Sequence, residues 1–298
     1  MVIRVGPAGW SYPDWAGIVY PRSRPPGFHP LAHLLRFFDC IEINSTFYAP
    51  PRAEHALRWV ELAGERESFR FLAKLHRDFT HGPAPRDEAA EARWERSAER
   101  FLGGLAPLAS ANRLAALLVQ FPVRFLHSPA AVQRLGRLAG LFHSLPLVVE
   151  LRHESWFTPP ALDALRGVGM SLAHIDLPAA WNHPPPWHPP TGPIGYLRLH
   201  GRNEATWFRK GVGRDERYDY LYQPEEVGEL AERARRLARD HDEVFVVTNN
   251  HFGGQAAANA IEIIAALEGG APPAPAELVE SFPHLAPITR LEGQGRLY

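Results

Sequence analysis

The chain has 298 residues, 45% of them hydrophobic, which is enough to bury one large core. Its formal net charge of −1 excludes the global basic field that drives non-specific nucleic-acid binding, so any anion site must be local. Cys40 is the only cysteine, which excludes an internal disulfide and a thiolate zinc cage and reads as an ordinary buried thiol.

Val2-Ile3-Arg4-Val5 opens the chain as a strand, without the apolar segment and small-residue cleavage site of a secretory signal. No apolar run approaches the roughly 20 residues that span a bilayer. The expectation is a cytoplasmic protein with no membrane partner.

From here on, eight short apolar runs each stop at a polar cluster. They end in Gly9-Trp10-Ser11, Glu42-Ile43-Asn44, Lys74-Leu75-His76, Gln120-Phe121-Pro122, Glu150-Leu151-Arg152-His153, His174-Ile175-Asp176, Arg198-Leu199-His200-Gly201-Arg202 and Thr248-Asn249-Asn250-His251. Between them lie segments of helical period, at about 30–38, 52–63, 87–108, 129–144, 160–167, 224–240 and 256–268. Alternating strands and helices call for a parallel sheet, because parallel neighbours need crossover connections. Eight repeats predict an α/β fold, a (β/α)8 TIM barrel over residues 1–268, close to the roughly 250 residues usual for one such domain.

Ser128 before Pro129 and Thr158 before Pro159 read as helix caps. The crossover from Leu177 to Gly195 holds too many prolines for a helix and predicts an irregular Pro-rich strap after the sixth strand. Residues 269–298 are too short for a core of their own and predict a C-terminal extension packed on the barrel.

Residues two apart on a strand share a face. That parity pairs Glu42 with Asn44, Lys74 with His76, Glu150 with Arg152 and His174 with Asp176, and aligns Arg198, His200 and Arg202. The intervening residues are mostly apolar and suit packing under helices, so the polar set is expected to face the barrel interior at the carboxyl ends of the strands, where this fold places its sites. The fixed cations Lys74, Arg152, Arg198 and Arg202 outnumber the carboxylates Glu42, Glu150 and Asp176, a balance that favours an anionic ligand over a metal. After the last strand, the Asn249 to Gly254 turn opens a helix, and its backbone N–H groups, Gly253 among them, form a candidate phosphate site. Trp10, Tyr12, Trp15, Phe47, Tyr48, Trp156, Phe157, Trp181, Trp207, Tyr218, Tyr220 and Tyr222 fall in the surrounding loops, where some can stack a sugar or base and more pack the loops.

The strings Ala8-Gly9-Trp10-Ser11-Tyr12, Glu42-Ile43-Asn44-Ser45-Thr46-Phe47-Tyr48, Thr80-His81, Gln120-Phe121-Pro122, Glu150-Leu151-Arg152-His153-Glu154-Ser155-Trp156, Arg198-Leu199-His200-Gly201-Arg202 and Asn249-Asn250-His251 resemble, in order, the YecE-like family, a domain-of-unknown-function family. The resemblance runs from about residue 3 to residue 268 and implies a TIM barrel. It places Lys74, Glu150, Arg152, His200 and Asn249 in motif positions without assigning them a role. Pro7 stands where the family pattern carries Thr, and the tail after Gly269 has no counterpart. By fold analogy alone, the barrel is also similar to xylose-isomerase-like and endonuclease-IV-like barrels, which hold metals.

Three functions follow as expectations. In the first, the protein is an enzyme acting on a phosphorylated or anionic substrate, such as a sugar phosphate or nucleotide, by general acid/base chemistry. Glu42, Lys74, Glu150 and His200 are then the catalytic candidates, with Glu42 or Glu150 the base, His200 a neutral acid partner, and Lys74 an electrophile or Schiff-base former if its neighbours depress its pKa. Asn44, His76, Gln120, Arg152, Asp176, Arg198, Arg202, Asn249, Asn250 and Gly253 are the substrate-binding candidates. No cofactor is expected here. The alternative is a divalent-metal enzyme with Glu42, Glu150, Asp176 and His200 as ligands to manganese, magnesium or zinc. A third reading is a non-catalytic nucleic-acid binder using the arginines; of 32 basic residues only Lys74 and Lys210 are lysine. The Arg233, Arg235, Arg236 and Arg239 run reads as a solvated helix face paired with Glu229, Glu232 and Asp240.

Overall fold

The computed structural model describes residues 1–291 apart from Trp181, Phe208, Lys210 and Val212. Trp181 and Lys210, singled out above, and residues 292–298 of the expected extension therefore lie outside the described residues.

Nine strands form two parallel sheets. β1 (Val2–Pro7), β2 (Cys40–Ile43), β3 (Arg70–Lys74), β4 (Leu114–Gln120), β5 (Leu147–Glu150), β6 (Ser171–Leu172), β7 (His174–Asp176), β8 (Ile194–Leu199) and β9 (Glu243–Thr248) are ordered β1-β9-β8-β7 in one sheet and β2-β3-β4-β5-β6 in the other. The expected sixth strand is thus split at Ala173, whose N–H donates to the Val149 carbonyl at 2.9 Å. At the other margin, Ala8 of the β1 end bridges Glu42 of β2, and the Gly9 N–H donates to the Glu42 carbonyl at 2.8 Å.

The crossovers are α1 (Pro30–Leu34), α2 (Ala53–Ala63), α3 (Arg77–Thr80), α4 (Glu88–Ser110), α5 (Pro129–Leu141), α6 (Pro159–Gly167), α7 (Glu204–Trp207), α8 (Arg214–Arg217), α9 (Pro224–Leu237) and α10 (Gln255–Glu268). Ser128 caps α5 by accepting from the Ala131 N–H at 3.2 Å, which satisfies one of the helix's free donors. Thr158 stands at the N-cap of α6 with no side-chain hydrogen bond, so the expected cap is not made. The Pro-rich segment between β7 and β8 is irregular, and Thr191 pins it by accepting from the Leu172 N–H (2.8 Å) and donating to the Met170 carbonyl (2.7 Å).

Alternation along the strands produces two apolar layers. Ile41, Ile43, Phe71, Val119, Leu197 and Val246 belong to the core under the helices, and Cys40, Leu72, Leu118, Val148, Tyr196 and Val247 to a second buried cluster on the opposite face. The second face carries Glu42, Lys74, Gln120, Glu150 and Arg198 at its carboxyl end by the same two-residue step.

One strand reverses this expectation. Ala173 and Ile175 join the second cluster, so His174 and Asp176 point the other way, toward the helices and the Pro-rich segment. A one-residue shift in phase moves every side chain to the other face.

The tail continues as β10 (Pro273–Ala274), α11 (Ala276–Ser281) and β11 (Arg290–Leu291), with β10 and β11 paired in parallel. Ala274, Leu278 and Leu285 are fully buried in the main core, and His284 lies 3.2 Å from Glu262 of α10. No helix of the described residues is long and apolar enough to cross a membrane.

Candidate active site

At the carboxyl ends of the strands lies a cavity of about 290 Å³ lined by Gly9, Trp10, Ser11, Tyr12, Asn44, Ser45, Tyr48, Lys74, Gln120, Arg198, Tyr218, Asn249 and His251. Of the expected catalytic and substrate-binding residues, Asn44, Lys74, Gln120, Arg198 and Asn249 reach its wall. Glu42, Glu150 and His200 are not part of that wall. They lie beneath it, each with no exposed surface.

Arg198 organises this buried layer. Its Nε and Nη2 donate to Oε2 (2.9 Å) and Oε1 (2.7 Å) of Glu42, while Nη1 donates to Glu150 Oε2 (3.0 Å) and Gln120 Oε1 (3.3 Å), and Nη2 also reaches Asn249 Oδ1 (3.2 Å). These bonds occupy all five guanidinium N–H groups. The carboxylates in turn hold the Arg198 charge more firmly than burial loosens it, and its pKa moves up. Arg198 therefore cannot be the free anion grip that the sequence predicts.

Neither Glu42 nor Glu150 is a free base. Tyr196 donates its hydroxyl to Glu42 Oε2 at 2.6 Å, in addition to the two bonds from Arg198. Glu150 Oε1 receives Arg152 Nε (2.7 Å) and Nη2 (2.6 Å). Burial alone would raise the Glu150 pKa, but Arg152, His200 and Arg198 outweigh it and hold the carboxyl well below the usual range.

The tautomer of His200 follows from Asn249. The Asn249 Oδ1 accepts from Arg198, so its Nδ2 donates to His200 Nδ1 at 3.1 Å, and the ring proton belongs on Nε2, which faces Glu150 Oε1 at 3.3 Å. Burial, reinforced by Arg152 and Arg198 against Glu150, lowers the His200 pKa to about 4. The ring is neutral near pH 7, but its proton is committed to Glu150 rather than offered to the cavity.

Lys74 differs from all of these. Its neighbouring carboxylates are already paired with arginines, and among the described residues its amine makes no hydrogen bond or ion pair, only a contact 4.1 Å above the Phe47 ring centroid. Burial first, then Arg198 and Arg152, outweigh the attraction of Glu42 and Glu150 and lower its pKa to about 7.

Several expected site residues lie elsewhere. His76 caps α3, its Nδ1 accepting from the Asp78 N–H at 3.4 Å, because the chain leaves the strand at Lys74 before the parity can carry His76 inward. Arg202 departs at Gly201, whose φ of +88° ends the row begun by Arg198 and His200. Arg202 then grips both oxygens of Asp176 at 2.8 Å, and Asp176 also accepts from Arg233 (2.7 Å) and Tyr222 (2.8 Å). Those partners outweigh burial and lower the Asp176 pKa. This is a self-contained cluster on the helix side of β7. It also corrects the solvated reading of α9: Arg235 pairs with Glu232, but Arg233 turns inward to Asp176 and Arg236 lies 3.6 Å from the Trp187 ring centroid.

Asn250 is fully buried and donates to the Tyr220 carbonyl and Asn259 Oδ1, both at 2.8 Å, so it ties α10 to a loop rather than holding a ligand. The expected phosphate site at Gly253 is already filled, since the Gly253 N–H donates to Asp14 Oδ2 at 2.8 Å, and Gly254 packs against Ile18 and Val19. The metal alternative does not fit the donor set. Arg198 stands between Glu42 and Glu150, Asp176 faces away, and among the described residues no group of three His, Cys, Asp or Glu is arranged to hold a metal ion.

The loop aromatics divide between the cavity wall and the packing of the loops. Trp10, Tyr12, Tyr48 and Tyr218 line the cavity, whereas Trp15 and Trp156 are buried and donate to the His251 and Phe125 carbonyls, both at 2.7 Å. The sequence reading missed Tyr196, although it stands two residues before Arg198 and so shares its face. It also missed Ser11 and Ser45, which lie in loops where no strand parity operates.

The family described as "Protein of unknown function DUF72" matches residues 4–279, and the chain belongs to it. The UPF0759 protein YunF of Bacillus subtilis is 27% identical over 279 residues, covering 90% of this chain and 95% of YunF. The UPF0759 protein YecE of Escherichia coli is 31% identical over 158 residues, 52% of this chain and 50% of YecE, in agreement with the motif resemblance. A DUF72 family protein of Thermotoga maritima superposes with a TM-score of 0.75 at 31% identity, covering 90% of this chain and 100% of that one. One from Enterococcus faecalis gives 0.76 at 28%, covering 90% and 96%.

Proposed function

We propose that this protein is an enzyme that acts on a small, oxygen-rich anionic substrate of the sugar-phosphate kind by proton transfer, with Lys74 as the group that exchanges the proton. The carrying observation is the Lys74 amine on the wall of the cavity, unpaired among the described residues, with a pKa drawn to about 7. Protonated, it is the counterion an anionic substrate would find; unprotonated, it is a base working near its own pKa. Arg198 supports this by neutralising Glu42 and Glu150, which would otherwise hold the Lys74 proton. Asn44, Gln120, Ser11 and Ser45 add neutral hydrogen-bonding groups suited to hydroxyls.

The same reading takes the two sheets as halves of one (β/α)8 barrel. The Ala8 to Glu42 bridge and the single residue between β6 and β7 support closure at both margins. So does Gly6, where a Cβ atom would stand 1.8 Å from the Cys40 carbonyl oxygen. The cavity then falls at the carboxyl-terminal mouth, the usual place for sites of this fold.

The test is a thermal-shift screen of sugar phosphates, nucleotides and metal ions on the wild type and on Lys74→Met. A ligand at 100 times its dissociation constant contributes roughly 2.7 kcal/mol, enough to move the midpoint by several degrees. The expected result is a shift with a small phosphorylated compound that Lys74→Met abolishes. Shifts unaffected by that substitution, or none with any anion, would overturn the reading.

A further inference from the structure

We propose that the Lys74 amine bonds covalently to its substrate, which is a short hydroxylated aldehyde or ketone held as an imine in the cavity. The inference rests on the reading of the cavity as a catalytic site and adds the substrate's reacting group.

Three observations converge on it. First, the amine lines the cavity and is unpaired among the described residues, while each carboxylate near it is saturated by arginine. Second, a buried cation needed only for charge could be an arginine, and all but two of the chain's 32 basic residues are arginine. A guanidinium cannot lose its proton at working pH and cannot attack carbon, whereas a lysine amine can. Third, the lining beside Lys74 is rich in amides, hydroxyls and aromatic faces, Asn44, Gln120, Ser45 and Trp10 among them, and the Arg198 guanidinium in the wall is already bound to Glu42 and Glu150. Neutral donors and acceptors of this kind suit the hydroxyls of a sugar, and a cavity of about 290 Å³ limits it to a small one. Burial and the two arginines keep much of the amine unprotonated near neutral pH.

The step balances without another reactant. The Nζ lone pair forms a bond to the carbonyl carbon, the C=O π pair moves to oxygen, and a proton passes from nitrogen to that oxygen to give a carbinolamine. Loss of the hydroxyl with the second N–H proton, as water, leaves the C=N bond.

The experiment is reductive trapping with sodium cyanoborohydride in the presence of dihydroxyacetone phosphate, glyceraldehyde 3-phosphate or ribose 5-phosphate, and of their unphosphorylated forms, read by intact mass and peptide mapping. Amines are few in this chain, Lys74, Lys210 and the terminal amine, so background labelling is easily separated. The expected result is one saturable adduct on the Lys74 peptide, at least 10-fold faster than on Lys210, and absent in Lys74→Arg with an unchanged circular dichroism spectrum. Labelling of Lys74 that does not saturate, or is no faster than that of Lys210, overturns the inference. If a ligand stabilises the wild type but not Lys74→Met and no adduct forms, covalency fails while the proton-transfer function stands. If neither occurs, both fail.

Discussion

Arg198 holds Glu42 through two parallel hydrogen bonds, Nε to Oε2 at 2.9 Å and Nη2 to Oε1 at 2.7 Å, and both residues are almost wholly removed from solvent. This fork joins β8 to β2 and fixes the charge balance beneath the cavity. Replacing Arg198 by Met strands the carboxylates of Glu42 and Glu150 without a shared cation. The expected loss of stability is ~3–5 kcal/mol in urea unfolding, because an uncompensated buried charge costs more than the pair contributes. The remaining carboxylates should also raise the Lys74 pKa in any molecules that fold.

Lys74 should be costly to stability. Its pKa is about 7 in the folded protein against an ordinary 10.5, so below pH 7 both states hold the proton and the burial cost of the charge is complete. Between pH 7 and 10.5 the unfolded chain binds the extra proton, and stability rises with pH. Lys74→Met is therefore expected to stabilise the protein by ~2–4 kcal/mol at pH 6, with the gain shrinking toward pH 10.5. Unfolding curves for the two proteins across that range check it; a constant difference would show that Lys74 titrates normally.

Acid should weaken the protein through a second pair of residues. His174 of β7 stacks on His188 of the Pro-rich segment at 3.7 Å between centroids, and both rings are buried. Burial first, with His188, Arg233 and His241 adding to it, lowers the His174 pKa to about 2; burial and Arg233 also lower that of His188. His174 is neutral when folded and takes a proton on unfolding below pH 6.5, and the lowered pKa of His188 acts in the same direction, so stability falls as pH drops through that value. For His174→Phe, the slope of stability against pH between 6 and 4 should be smaller by about 1.4 kcal/mol per pH unit.

Asp176 tests the division between the cavity and its surroundings. Asp176→Ala removes the acceptor shared by Arg202, Arg233 and Tyr222 and should cost ~3 kcal/mol or more in urea unfolding. Any ligand-induced thermal shift should survive, since Asp176 faces away from the cavity. Loss of the ligand response in a folded Asp176→Ala protein would mean the two clusters are coupled.

The alternation of strands and helices was readable from periodicity, and so was the parallel pairing that follows from crossovers. Two-residue parity likewise brought Glu42, Lys74, Gln120, Glu150 and Arg198 to one end of one face, because strand geometry is local and repeats regularly. Parity failed where the backbone leaves the strand, at Lys74 before His76 and at Gly201 before Arg202; through β6 and β7 the alternation holds, and His174 and Asp176 keep the helix-side phase of Leu172, opposite to the one their polarity suggested.

The order of residues along the chain thus determined which groups could gather, since side-chain direction on a strand depends only on neighbouring residues. Only the tertiary structure decided which of them remained available for chemistry. Hydrogen-bond valences are filled across long separations, Arg198 to Glu42 over 156 residues and Gly253 to Asp14 over 239. Packing assigned every N–H of Arg198 to a partner and left the Lys74 amine without one among the described residues, and no local pattern records that difference.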